Sequence, residues 1–100
     1  MKTIYKYQVP IKRRFSLTLP KEAVILSFQK QRGIPVIWAQ INTGHNDEDR
    51  KFRLYGTGHP IKNIPQDIGL HYIGTIQQNF AEAVPALVWH LFEEVKECTR

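Results

Sequence analysis

The sequence predicts an all-β domain, a single small sandwich or partly open barrel of about seven mainly antiparallel strands. Three observations predict it. Prolines and glycines punctuate the chain at short, fairly even intervals: Pro10, Pro20, Gly33, Gly44, Gly56, Gly58, Pro60, Pro65, Gly69 and Pro85. The runs between them are rich in Val, Ile, Phe, Tyr and Thr, the residues that suit a pleated surface. Several of those runs alternate apolar and polar residues, the period of a half-buried strand. With 100 residues, the chain reads as one domain, residues 1–100, large enough for a core without staples.

Each element follows from its own pattern. In the first run, Thr3 to Val9, Tyr5, Tyr7 and Val9 share a face, with Ile4, Lys6 and Gln8 on the other. In the second, Arg14 to Leu19, Phe15, Leu17 and Leu19 oppose Arg14, Ser16 and Thr18. Pro10 and Pro20 bound it, as strand-ending residues do. The third run, Ala23 to Gln29, is apolar on both sides early. It leads into Gln29-Lys30-Gln31-Arg32-Gly33, a hairpin tip in which Gly33 supplies positive φ. The fourth, Pro35 to Asn42, is almost continuously apolar and is expected at the centre of a sheet. Thr43 to Asp49 reads as a polar loop.

Arg50 to Tyr55 is the fifth run. Phe52 and Leu54 are expected to face the core, and Lys51, Arg53 and Tyr55 to face out. Lys62 to Asp67 is a loop held by Pro65. In the sixth run, Leu70 to Gln77, Leu70, Tyr72 and Ile76 are assigned to one face. The last segment is open between two readings. Ala86 to Phe92 alternates as a strand, whereas Leu87, Val88, Leu91, Phe92 and Val95 also form a helical stripe, so a short C-terminal helix stays in play.

Composition narrows the function. Fourteen Lys and Arg against nine Asp and Glu give a formal charge of +5 and a pI near 9.6. A basic balance raises the expectation of nucleic acid or an acidic protein surface as partner. The single cysteine, Cys98, excludes an intrachain disulfide and a Cys-based zinc site. The N-terminal residues Met1 to Lys6 lack the apolar core of a signal peptide, and no run is long enough for a spanning helix, so no membrane partner is expected.

No motif for chemistry emerges. Gly56-Thr57-Gly58 is followed by His59-Pro60, not by the third glycine and helix of a dinucleotide fingerprint, nor by the Gly-Lys-Ser/Thr of a Walker loop. It reads as a tight turn after a strand. The four histidines, His45, His59, His71 and His90, have no metal-ligand spacing, although His71 and His90 could meet if their strands pair. Ser16 and Ser27 lie in predicted strands without an elbow motif. Asp47-Glu48-Asp49 and Glu93-Glu94-Glu97 read as solvated runs. The expectation is a protein without catalytic residues, metal or cofactor, and a small-molecule ligand is not expected.

The basic residues are the functional lead. Lys12-Arg13-Arg14, Lys30 with Arg32, and Arg50-Lys51-Arg53 are separate in sequence, and a β fold could gather them. Lys51 and Arg53 on one face with Tyr55 would combine charge with a stacking ring. The partner-binding candidates are therefore Arg50, Lys51, Arg53 and Tyr55, supported by Lys12, Arg13 and Arg14.

Met1-Lys2-Thr3-Ile4-Tyr5-Lys6-Tyr7, Ile34-Pro35-Val36-Ile37-Trp38-Ala39 and Arg50-Lys51-Phe52-Arg53-Leu54-Tyr55-Gly56-Thr57-Gly58-His59-Pro60-Ile61 resemble a family of small phage-encoded proteins of unknown function. Leu70 to Gln77 and Ala86 to Glu93 extend the resemblance over most of the chain. The Tyr-Gly-Thr-Gly-His-Pro-Ile block is its most specific piece. The chain departs from the pattern by being more basic near Lys12-Arg13-Arg14. It also has a longer connection, Asn79 to Pro85, which favours a final strand paired with the sixth and leaves the tail after Glu93 as an extension.

The resemblance implies an all-β fold and a phage origin, and it brings no catalytic residues. The expected role is that of a non-enzymatic binding protein in the host cytoplasm. It would inhibit or redirect a host or defence protein complex, in the manner of an anti-CRISPR protein, through a basic surface. The alternatives are a nucleic-acid-binding accessory protein and a structural or virion-associated protein.

Overall fold

The computed structural model describes residues 1–78 and 87–97, and no helix occurs among them. The strands are β1 (Lys2–Gln8), β2 (Arg14–Pro20), β3 (Val24–Gln31), β4 (Ile34–Asn42), β5 (Asp47–Gly56), β6 (Ile68–Gln78) and β7 (Leu87–Lys96). They form a three-stranded sheet A, in the order β1-β4-β3, and a four-stranded sheet B, in the order β2-β5-β7-β6. Every pairing is antiparallel. The sheets stack into a slab of 46 × 37 × 16 Å and do not close on each other, so the fold is a sandwich.

Alternation decides which side chains meet between the sheets. Sheet A contributes Phe28, Ile37, Ala39 and Ile41, with Tyr7 and Ile25 packed against them. Sheet B contributes Phe15, Leu19, Phe52, Leu54, Ile76 and Leu91, with Leu17 and Trp89 alongside. Phe15 and Phe52 are register partners on β2 and β5, and their rings stack with centroids 5.5 Å apart. Burying a side chain of this size stabilises the fold by about 1.5–3 kcal/mol. At one side of the slab β3 and β6 run close together. A Cβ on Gly74 of β6 would lie 3.1 Å from Phe28 Cβ, so a side chain there requires Phe28 to give way slightly.

Most of the sequence reading stands. β4 is central in its sheet, and the hairpin tip is a two-residue turn. Arg32 (φ 52) and Gly33 (φ 79) both take positive φ between the paired Gln31 and Ile34, the geometry that suits the twist of a hairpin. The C-terminal segment is a strand paired with β6, not a helix.

Three local expectations are corrected. Asp47, Glu48 and Asp49 belong to β5, not to a loop, because β2 pairs with them through Pro20, Leu19 and Thr18, and the Thr18 hydroxyl bonds Asp49. The tail after Glu93 is strand as far as Lys96, paired with Ile68. Leu70 and Tyr72 do not share a face with Ile76. A bulge between Tyr72 and Gly74 inserts one residue, and a one-residue slip sends the following side chains to the opposite side. The Asn79 to Pro85 connection and Cys98 lie outside the described residues.

One ladder is shorter than its strands. β5 and β7 pair only from Phe52–Glu93 to Gly56–Trp89. Beyond that point β5 continues beside β2 and β7 continues beside β6. A cleft of about 550 Å³ adjoins the split, flanked by Arg14, Asp49, Lys51, Asp67, Glu94 and Lys96.

Candidate partner-binding surface

β5 carries most of the nominated residues, and the pleat divides them. Arg50, Phe52 and Leu54 point to the core side of sheet B, and Lys51, Arg53 and Tyr55 to its outer side. Arg50 is therefore turned away from Lys51 and Arg53. Its Nε and Nη2 donate to the two carboxylate oxygens of Glu93, each at 2.6 Å, and its Nη1 donates to the Ala23 carbonyl at 2.6 Å. Those bonds link β5, β7 and the segment leading into β3. The hydrogen bonds to Glu93 hold the Arg50 guanidinium more firmly protonated than usual, against the opposing effect of burial.

Lys51, Arg53 and Tyr55 do share the outer face, but the expectation that all three are exposed is corrected. Arg53 is 5% and Tyr55 3% exposed. Main-chain oxygens of the segment after β5 receive the guanidinium: Nη1 donates to Lys62 O and Nη2 to Asn63 O, both at 3.3 Å. Arg53 Nη1 also donates to the Tyr55 hydroxyl at 3.3 Å. Tyr55 packs edge-on against Phe92, which packs edge-on against Tyr72. This is a second, smaller core on the outer face, so Tyr55 is a packing residue and offers no stacking ring.

Glu94 neutralises the arginines of this face. It accepts from Arg53 Nε at 2.8 Å and from Arg14 Nε at 2.9 Å, and its own side chain is 3% exposed. Burial opposes its ionisation, but the hydrogen bonds and charges of Arg53 and Arg14 outweigh that and hold the carboxyl below the usual glutamate range. Burial likewise opposes the charge on Arg53, and the bonds to Glu94 and Tyr55 override it. Glu93 and Glu94, read from sequence as part of a solvated run, are thus the counter-ions of three arginines. Their adjacency was the available signal: neighbours in a strand point to opposite faces, as Arg50 and Lys51 do.

Four nominated residues remain on the surface: Lys12, Arg13, Arg14 and Lys51. Arg14 faces Arg53 across the β2–β5 ladder, and Lys51 faces Ser16 two positions along, so Arg14 and Lys51 are diagonal neighbours on one face. Lys12 and Arg13 immediately precede Arg14. The Arg13 carbonyl accepts from Leu54 N, which anchors the basic segment to β5.

The histidines do not converge. β6 and β7 pair, yet His71 faces Glu93 and His90 faces Thr75, on opposite sides of the sheet. His90 uses both ring nitrogens on hydroxyls, Thr57 Oγ1 at 2.8 Å and Thr75 Oγ1 at 2.9 Å, pinning the Gly56-Thr57-Gly58 turn to β6. His59 folds back so that Gly56 N donates to its Nδ1 at 3.2 Å. Among the described residues no group of three His, Cys, Asp or Glu is placed to hold a metal ion.

The profile of a family described as a domain of unknown function, DUF7352, matches residues 1–99. The chain belongs to this family. No curated protein and no solved structure matches it. Membership of the DUF7352 family extends over nearly the whole chain and carries no activity, substrate or partner with it.

Proposed function

We propose that the chain is a non-enzymatic binding protein that engages an acidic protein surface through Lys12, Arg13, Arg14 and Lys51. The observation that carries this reading is their shared position. Lys12, Arg13 and Lys51, from two sequence clusters, lie beside Arg14 at one corner of sheet B, where Glu94 ties Arg14 and Arg53 into an internal charge network. Such a corner guides encounter and orientation with a carboxylate-bearing partner more than it adds affinity. The narrower role is a phage-encoded inhibitor or redirector of a host or defence protein complex. It is supported by the resemblance of the Tyr-Gly-Thr-Gly-His-Pro-Ile block and by the basic composition.

A tagged pull-down from host lysate, with and without nuclease, tests it. A protein complex that survives nuclease and is lost from a Lys12→Glu/Arg13→Glu/Lys51→Glu variant supports the reading. Partners that vanish with nuclease would replace it with direct nucleic-acid binding, whose affinity falls steeply with salt.

A further inference from the structure

Counted over the strands alone, the excess positive charge lies on sheet A. The strands of sheet B carry Arg14, Arg50, Lys51, Arg53 and Lys96 against Asp47, Glu48, Asp49, Glu93 and Glu94, five cations against five carboxylates. The strands of sheet A carry Lys2, Lys6 and Lys30 and no carboxylate at all.

The outer face of sheet A interleaves aliphatics with Lys2, Lys6 and the amides of Gln8, Gln29, Gln31 and Gln40. Register places Ile4, Lys6, Val24, Ile34, Val36, Trp38 and Gln40 there together. Ile4 is 56%, Val24 54% and Ile34 45% exposed. Trp38 is half-buried among them. Lys6 Nζ donates to Gln31 Oε1 across the sheet, on the diagonal that passes over buried Val36. Two depressions, of about 480 and 410 Å³, flank this bridge, one beside Lys2 and Ile4 and the other beside Lys6 and Ile34. Exposed aliphatics of this extent on a small domain mark interaction surfaces.

We infer that the outer face of sheet A docks a protein segment that presents aliphatic side chains flanked by carboxylates. Charge complementarity selects this occupant: Lys2 lies beside Ile4, Lys6 crosses the face to Gln31, and nothing acidic on the face opposes a carboxylate. A second copy of the chain is disfavoured by the same fact, since two such faces bring lysines together with no carboxylate to meet them. A lipid surface is disfavoured by Gln8, Gln29, Gln31 and Gln40, whose amides lose hydrogen-bonding water on insertion. A nucleic-acid strand lacks a stacking platform, because Trp38 lies sunken among aliphatics. The inference rests on the reading of the chain as a binding protein and adds a second face to it.

The test is a titration of the ¹⁵N-labelled full chain with an acetylated, amidated peptide of four Glu-Leu repeats. Saturable shifts at Ile4, Lys6, Val24, Ile34 and the Trp38 indole, weakening as salt rises, support the inference. A Lys2→Glu/Lys6→Glu variant should bind at least about tenfold more weakly, because reversal turns attraction into repulsion at both contacts. If that variant does not fold, Lys2→Gln/Lys6→Gln is read for the same direction of change.

Absence of saturable shifts overturns the inference, as do shifts confined to Lys12–Arg14 and Lys51, or equal binding of a Lys-Leu repeat peptide. The same shifts on concentrating the chain alone assign the face to a second copy. Preferential broadening by phosphatidylglycerol vesicles assigns it to lipid; either result overturns the inference. Failure here, with a nuclease-resistant partner still lost on reversal of Lys12, Arg13 and Lys51, removes only this second face.

Discussion

Arg50 forks onto Glu93 on the core side of sheet B, while the next residue of each strand, Lys51 and Glu94, turns to the outer side. The two faces therefore hold separate charge networks a single residue apart in sequence. Replacing Arg50 by Lys keeps the charge but loses the planar fork and the bond to Ala23 O, so a loss of about 1–3 kcal/mol is expected. A double-mutant cycle in urea should give Arg50–Glu93 a coupling above about 1 kcal/mol and Arg50–Glu94 one within about 0.5 kcal/mol. Equal couplings would mean that the networks are not separate.

Glu94 gives the fold an acid-sensitive component. Its carboxyl is held below the ordinary glutamate value in the folded state. The stability that this contributes is complete above the unfolded value of about 4.3 and is lost as pH falls through the depressed folded value. Glu94→Gln leaves Arg53 buried without its counter-charge and should cost about 3–5 kcal/mol at pH 7. Urea unfolding at a series of pH values should show the gap between wild type and variant closing below about pH 4. A gap independent of pH would refute this.

Two glycines, Gly56 at the end of β5 and Gly58 in the turn that follows, are required for different reasons. Gly58 sits at φ 86 with open space around its missing Cβ, so Gly58→Ala should cost about 1–2 kcal/mol from backbone strain alone. Gly56 has no such φ, but an added Cβ would meet the His59 ring at 2.8 Å. Gly56→Ala should therefore be destabilising in the wild type and much less so beside His59→Ala. Thermal melts of the two single variants and the double variant decide it.

Gly74 is a packing glycine. Gly74→Val would push β6 away from Phe28 of β3 and loosen one side of the sandwich, with an expected cost of about 1–3 kcal/mol. Hydrogen exchange should quicken first along β3 and β6; uniform quickening would point to a global effect instead.

The sequence's alternation was enough to place the strands, because Phe15, Leu17 and Leu19, or Phe52 and Leu54, can be buried together only at period two. Alternation could not reveal the bulge in β6, whose extra residue reverses the faces of Tyr72 and Ile76 without changing the local composition. It also could not show that the segment after β5 covers the outer face. Arg53 looked like a surface cation because arginine in a strand opposite a core face usually is one. Its burial depends on carbonyls nine and ten residues onward and on a carboxylate 41 residues away. The acid-free character of β1, β3 and β4 was visible in the sequence, but it acquires meaning only once those strands are known to form one sheet.

That partition leaves the strands of sheet A with three lysines and no carboxylate, beside an even balance of charge on the strands of sheet B. Near a carboxylate-rich surface, Lys2, Lys6 and Lys30 would draw sheet A forward, as Lys12, Arg13 and Lys51 would draw the corner of sheet B.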